Sequence, residues 1–458
     1  MDVKIKEILV AVKGRSLGSL REDLEIGKIS TDTRALDKND VFFALRGPHF
    51  DGHDFIAEAQ EKGAKHFILS DERKAPKGES NAILVEDTLT AYGDLAAFFR
   101  QKFNIPAIAI TGSSGKTTVK ELVAHVLSQK YSVLKNRGTE NNLIGVPKTL
   151  LQLEPAHEAL VLEMGTNQPG EIQRLSSIIR PQVGVLTQIG YSHLEKLKTI
   201  EGVLEEKLSL LSNLERGGTL FLNGEDTNLK NTVSGAHRLM RVGFGREGNH
   251  FYADNVWCHE KGSSFYLNGK DLFEIPLLGR HNILNSLLAI AVAVTMGLEV
   301  EVIRKSLKDF KPISGRLHLK NFEGITFIDD SYNSNPTSFR AALEALKSFK
   351  VRGKKGVVFG DMLELGEMGG ELHRQIGLLL SGLLFDFVIA TGPLSRLAVD
   401  EALKNGYDAS KVHLAKNSTE AGNICRRMIS AGDMVLIKGS RGMKMEKVFE
   451  CFTPSSIL

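Results

Sequence analysis

Residues 107–118, AIAITGSSGKTT, run from a short apolar stretch through a glycine-rich turn into Gly-Lys-Thr-Thr. The pattern is that of a P-loop, a cradle for phosphate. Gly112 and Gly115 leave room for backbone N–H groups to close around phosphate, Lys116 has the length to reach the terminal phosphates, and the Thr117 hydroxyl suits a Mg²⁺ shell. Thr111, Ser113, Ser114 and Thr118 complete the loop. Such a loop works only when a strand delivers it and a helix carries it onward. Both are legible: Ile108 to Ile110 read as a buried strand, and VKELVAHVLSQ places Leu122, Val123, Val126 and Leu127 on one helical face. The chain is expected to bind a nucleoside triphosphate.

The 458 residues exceed one ordinary core, and a spacing of about 150 residues per domain gives three. The net charge of +3, from 58 basic and 55 acidic side chains, supplies no bulk attraction for nucleic acid, so the partner expected is a small molecule. Cys258, Cys425 and Cys451 are far apart and lack metal-ligand spacing, as free thiols of a reducing compartment would be. The N-terminus MDVKIKEILVAVKGRS alternates charge with apolar residues and has no uninterrupted apolar centre of the signal-peptide kind. No apolar run approaches the roughly 20 residues of a membrane span. The expectation is a cytoplasmic monomer with no membrane insertion.

The fold class expected is α/β in three domains: a central P-loop parallel-sheet ATPase domain, flanked by a small N-terminal α/β domain and a C-terminal Rossmann-like domain. In residues 1–103, DVFFAL and HFILS read as strands, FIAEAQEKGA as a helix with a glycine stop, and TAYGDLAAFFRQKFNIP as a helix leading into the P-loop strand. Residues 104–311 alternate: ALVLEM, VGVLTQIG and GTLFLN as strands, with GEIQRLSSII and IEGVLEEKLSLLSNL as helices. That alternation signals a parallel sheet covered on both faces. A β-rich stretch, FYADNVWCHEKGSSFYLNGK, precedes the helix NILNSLLAIAVAVTMG. Residues 312–458 restart the alternation with strands ITFIDD, KGVVFGD, FDFVIATG and DMVLIKGS, separated by helical SFRAALEALKSF, ELHRQIGLLLSGL and STEAGNICRRMIS. This last domain carries no P-loop and is expected to close over the nucleotide.

Read together, several blocks resemble the Mur ligase family, the ATP-dependent amide-forming enzymes of peptidoglycan precursor synthesis. They are TGSSGKTT at 111–118, NNLIGVPKTLL at 141–151, EMGTNQPGEI at 163–172, SHLEKLKTIEGVLEEK at 192–207, LLGRHNILNSLLA at 277–289, SGR at 314–316, DDSYNSNP at 329–336, GDMLELG at 360–366 and KGSRGMKME at 438–446. DSYNSNP, GDMLELG and KGSRGMKME are most similar to the branch that adds D-alanyl-D-alanine to a UDP-muramoyl-tripeptide. The DNPR-type motif of the branch that adds the third residue is absent from the sequence.

The resemblance implies a reaction. Joining a carboxylate to an amine in water requires a leaving group on the carboxylate, and transfer of the ATP γ-phosphoryl to it gives an acyl phosphate that the amine attacks. Phosphoryl transfer needs charge neutralisation more than covalent help. Lys116 and Thr117 supply the first part. Glu163, at the end of a strand, is implied as a Mg²⁺ ligand, and His193 as a ligand to a second ion. Lys207 on residue type alone is an ordinary surface-helix lysine; the resemblance makes it carbamylated by CO₂, an oxygen ligand for Mg²⁺. Lys196 and Lys198 stand where the family usually has glycines, and Ser209 where an acidic residue is common.

His281, Asn282 and Asn285 are implied around adenine and ribose, with a helix cap as the plain alternative for Asn282. Arg316 is implied on phosphate and Asp330 near the ribose. Asn141 and Asn142, with Asn333, Ser334, Asn335 and the GDMLELG loop, are implied beside the substrates. In the first domain, STDTR at 30–34 (Ser30, Asp32, Arg34) and ALRGPHFDGHDFI at 44–56 (Gly47, Asp51, His53) resemble the platform for the UDP-sugar. Two other readings compete. One is a related ligase adding a single amino acid or extending polyglutamate, the latter disfavoured by STDTR; the other is a P-loop protein that uses ATP as a conformational switch and joins nothing.

Overall fold

In the computed structural model, the residues described are 4–17, 26–47, 50–76, 81–233 and 235–452. Met1 to Val3 of the N-terminal stretch and Pro48 and His49 of ALRGPHFDGHDFI lie outside them.

The P-loop strand, Ala107–Thr111, is buried at every position and pairs in parallel on both sides, with Ala159–Glu163 and with Val183–Leu186. A strand enclosed in this way has no face for water, which is why AIAIT reads as an unbroken apolar run. It lies within a nine-stranded sheet whose order is 271–275, 262–267, 251–259, 238–244, 219–223, 183–186, 107–111, 159–163, 133–135. From the P-loop strand the chain first moves to one side, through 133–135 and 159–163, and then crosses to the other with 183–186. At this switch point the connections leave in opposite directions and open a crevice at the carboxyl ends of the strands.

The β-rich stretch prolongs this sheet. Phe251–His259 joins in parallel, and Gly262–Leu267 and Asp271–Ile275 fold back as antiparallel hairpins. On one face the P-loop helix Lys116–Leu127 packs against Arg280–Thr295, whose Ile283, Leu287, Leu288 and Ile290 are fully buried. On the other face, Glu171–Ile179 and Gly145–Leu150 pack against Thr88–Arg100, a helix of the first domain. Tyr92 of that helix meets Phe43 edge-on, with ring centroids 5.0 Å apart, and so ties it to its own sheet.

The first domain's sheet runs 15–17, 81–84, 66–69, 41–43, 29–30, with its first strand antiparallel to an otherwise parallel set. The third sheet runs 318–322, 325–330, 434–438, 355–360, 387–391, 412–415; its first strand is antiparallel and the other five are parallel. The helix expected over 200–214 is α-helical for Ile200–Leu208 and tightens to a 3-10 turn over Ser209–Asn213. There the Ser209 hydroxyl donates to the Glu206 carbonyl at 2.6 Å, a local bond that competes with the regular ladder. Among the described residues no helix is long and apolar enough to cross a membrane.

Candidate active site

A cavity of about 370 Å³ opens at the crevice between the P-loop and the third sheet. Gly112 and Gly115 are positive-φ positions (145° and 84°) where a Cβ would strike Thr187 Oγ1 at 2.1 Å and Asn285 Oδ1 at 2.6 Å. Only glycine lets the loop lie this close to its neighbours. Gly115 also caps the helix whose first residue is Lys116, so the amides of that first turn face the cavity. Lys116 Nζ donates to the Gly112 carbonyl at 2.9 Å. Burial lowers the Lys116 pKa, Glu163 opposes the shift and Arg316 adds to it.

Glu163 ends its strand almost wholly buried, at 1% exposure. Asn141 Nδ2 donates to its Oε1 at 2.7 Å, while its Oε2 is buried without a hydrogen-bond partner. An acceptor left bare in a polar cavity fits a cation. Asn136 brackets the same residue, accepting from the Glu163 amide and donating to the Glu163 carbonyl at 3.0 Å each. Asn136 belongs in turn to a stretch pinned by Lys120, a fully buried lysine whose Nζ donates to the carbonyls of Asn136 and Gly138 at 2.8 Å and pairs with Glu121 at 2.9 Å. Three ammonium donors thus meet three acceptors.

Lys207 is fully buried and is not among the residues that line the cavity; its Nζ has no hydrogen-bond partner. Burial drives its pKa well down, and Lys116 pushes the same way against Glu206, Glu171 and Glu163. His193 lines the cavity, with Nδ1 2.8 Å from Glu364 Oε2 of the third domain. Among the described residues no three His, Cys, Asp or Glu side chains gather tightly enough to hold a metal ion. The bare oxygen of Glu163, with Thr117 and His193 on the same cavity, is a donor set that fits Mg²⁺.

The far wall comes from the third domain and the helix Arg280–Thr295. Arg316 Nη2 donates to Thr117 Oγ1 at 2.8 Å and stacks over the Tyr332 ring at 4.5 Å. Asp330 receives Lys438 Nζ at 2.5 Å. Asn285 Nδ2 donates to Asn282 Oδ1 at 2.9 Å and Asn282 to the Leu278 carbonyl at 2.8 Å, an amide chain that fixes both residues. Burial lowers the His281 pKa to about 4, leaving a neutral imidazole able to donate or accept. Asn335 caps Pro336–Ser348 by accepting from the Ser338 amide at 2.8 Å, and its Nδ2 donates to Ser114 Oγ at 3.0 Å. Asn333 accepts from the Ser334 amide at 2.9 Å. Asn142 accepts from the Gly145 amide at 2.9 Å.

Ser113, Ser114, Gly115, Lys116, Thr117, Thr118, Asn141, Asn142, Glu163, His193, His281, Asn282, Asn285, Arg316, Asp330, Asn333 and Asn335 therefore share one cavity, while Thr111 and Gly112, just before Ser113 in the chain, do not line it. Ser30, Asp32, Arg34, Gly47, Asp51 and His53 do not line it. They gather around two turns of the first domain. Asp32 accepts from the Arg34 guanidinium at 2.7 Å, and Asp51 pairs with Arg46 at 2.9 Å. His53, at 3% exposure, is held between Asp51 Oδ1 at 2.5 Å and the Ser70 amide, which donates to its Nε2 at 2.8 Å. Tyr332 and Lys438 line the cavity but were not singled out from sequence, although the blocks containing them were. Glu171 and Thr139 also line it.

Residues 25–100 match the Mur ligase family, catalytic domain, residues 110–293 the Mur ligase middle domain, and residues 315–441 the Mur ligase, glutamate ligase domain. Over 446 residues the chain is 36% identical to the UDP-N-acetylmuramoyl-tripeptide--D-alanyl-D-alanine ligase of Bacillus subtilis (strain 168), with 97% of each chain covered. Among solved structures, MurF from Acinetobacter baumannii is similar with a TM-score of 0.89 at 30% identity over 97% of both chains. MurF ligase from Thermotoga maritima in complex with ADP is similar with a TM-score of 0.83 at 29% identity, covering 93% of this chain and 96% of that one.

Proposed function

We propose that this chain, which belongs to the Mur ligase family, joins D-alanyl-D-alanine to a UDP-N-acetylmuramoyl-tripeptide at the expense of ATP. The observation that carries this reading is the shared cavity: a phosphate loop, a strand-end carboxylate with one bare oxygen, and an arginine and an aspartate delivered from a second sheet. The near full-length likeness to ligases of that name supports the choice of substrates.

In this reading Lys116 and Arg316 neutralise the phosphates, the P-loop amides orient them, and His281, Asn282, Asn285 and Asp330 hold adenine and ribose. Thr117, Glu163, His193 and carbamylated Lys207 would hold Mg²⁺, in two sites. Bound there, the metal neutralises charge on the phosphoryl oxygens. The tripeptide carboxylate takes the γ-phosphoryl group, ADP leaves, the dipeptide amine forms the C–N bond, and phosphate departs. Ser30, Asp32, Arg34, Gly47, Asp51 and His53 belong to the part of the first domain that meets the UDP-sugar, Asn141 and Asn142 lie toward the peptide, and Asn333 and Asn335 border the dipeptide. The working units are 1–103 for the UDP-sugar, 104–311 for ATP and 312–458 for closure and dipeptide binding. An enzyme using ATP and a nucleotide-linked precursor works in the cytoplasm.

The test is ADP release by the purified chain. Release should require ATP, the UDP-peptide and the amine together; steady release from ATP alone would instead favour a P-loop switch that joins nothing.

A further inference from the structure

The GDMLELG loop of the third domain, residues 360–366, meets the central domain at the turn that begins with His193. His193 Nδ1 and Glu364 Oε2 lie 2.8 Å apart. Beside them the Glu195 amide donates to the Glu364 carbonyl at 3.3 Å, and a Cβ at Gly366 would come within 3.3 Å of Glu195 Cα. Three residues of this contact have positive φ: His193 at 54°, Glu364 at 64° and Gly366 at 55°. Non-glycine residues persist in that region only where the surroundings impose it, and such places concentrate at working sites.

Glu364 is too exposed, at 59% of its side chain, for the pair to contribute much to folding. What it fixes is direction. A histidine that offers one ring nitrogen to a metal is held by a carboxylate or carbonyl at the other, which sets both tautomer and ring orientation. With Nδ1 taken by Glu364, Nε2 is the nitrogen left for the cavity. We infer that Glu364 is a positioning residue that orients His193 from across the domain boundary, so that the histidine is set for its ligand only while the third domain is docked. The inference rests on the metal role proposed above for His193.

Glu364→Asn retains a residue type that tolerates left-handed backbone but shortens the side chain so that it no longer reaches His193. Glu364→Gln keeps the length and an acceptor oxygen. The measurement is the calorimetric affinity of the full chain for β,γ-methylene-ATP across a Mg²⁺ titration. Glu364→Asn should raise the half-saturating Mg²⁺ concentration roughly 10-fold or more, and Glu364→Gln by less than about threefold. Added to His193→Ala, Glu364→Asn should cause no further change, as required of a residue that acts through the ring. A wild-type titration for Glu364→Asn, or a loss that adds in full to that of His193→Ala, overturns the inference and leaves the ligase reading intact. A wild-type titration for His193→Ala removes the metal role itself, and the inference with it.

Discussion

Lys207 is fully buried and its amine is unpaired, and burial, with Lys116 nearby, pushes its pKa well down. A shift in that direction favours the unprotonated amine, the form that can add to CO₂. Addition of CO₂ forms an N–C bond, releases one proton and leaves an anionic carboxylate, which would satisfy the site and attract Mg²⁺. Lys207→Ala should therefore lose activity in a coupled ADP-release assay, and acetate or formate should restore part of it by replacing the missing oxygens. Full activity in the unrescued variant would remove the carbamate from the account. Lys116 is given a plainer role in the proposed reading, that of the P-loop cation, and removal of one such stabilising group costs about 2.7–4 kcal/mol or more of the barrier. Lys116→Ala should accordingly fall by at least two orders of magnitude at saturating ATP, and wild-type turnover would sink the P-loop assignment.

At the scale of elements, the P-loop helix does more than present phosphate-binding amides. One turn beyond Lys116, Lys120 ties the helix to residues 136–138, and Asn136 clamps the backbone of Glu163. Lys120→Met would take this donor from the carbonyl of buried Asn136, at about 1–3 kcal/mol. The expected result is a lower melting temperature together with weaker Mg²⁺-dependent nucleotide binding; an unchanged melt would show that the strap is dispensable. Short apolar runs ended by glycine or polar turns made most strands legible, and AIAITGSSGKTT fixed the centre of the site. The helix Pro393–Lys404 went unread, although Pro393 and the spacing of buried Ala398, Val399 and Ala402 carry its signal. Lys120 could not be read at all, since its burial depends on carbonyls 16 and 18 residues downstream. The pairing of His193 with Glu364 is hidden for the same reason, because neither residue's neighbours in sequence reveal a contact made between domains.

Across the whole molecule, the third domain reaches the P-loop side through Arg316 to Thr117, Asn335 to Ser114, and Tyr332 to Thr139 at 2.7 Å. All three bonds border the cavity, so nucleotide binding and the docking of the third domain draw on the same side chains. In the proposed reading ATP sits in one domain, the carboxylate that becomes the acyl donor in another and the amine in the third, and bringing them together only on closure would limit wasteful hydrolysis. What this architecture joins is a pair of substrates. The direct measurement is product mass and ADP release with UDP-muramoyl-tripeptide or UDP-muramoyl-dipeptide, each offered D-alanyl-D-alanine, meso-diaminopimelate, L-lysine and L-glutamate. Tripeptide with D-alanyl-D-alanine should give the UDP-muramoyl-pentapeptide with one ADP per bond formed, and single amino acids far less. A better rate for the dipeptide with one amino acid would contradict this.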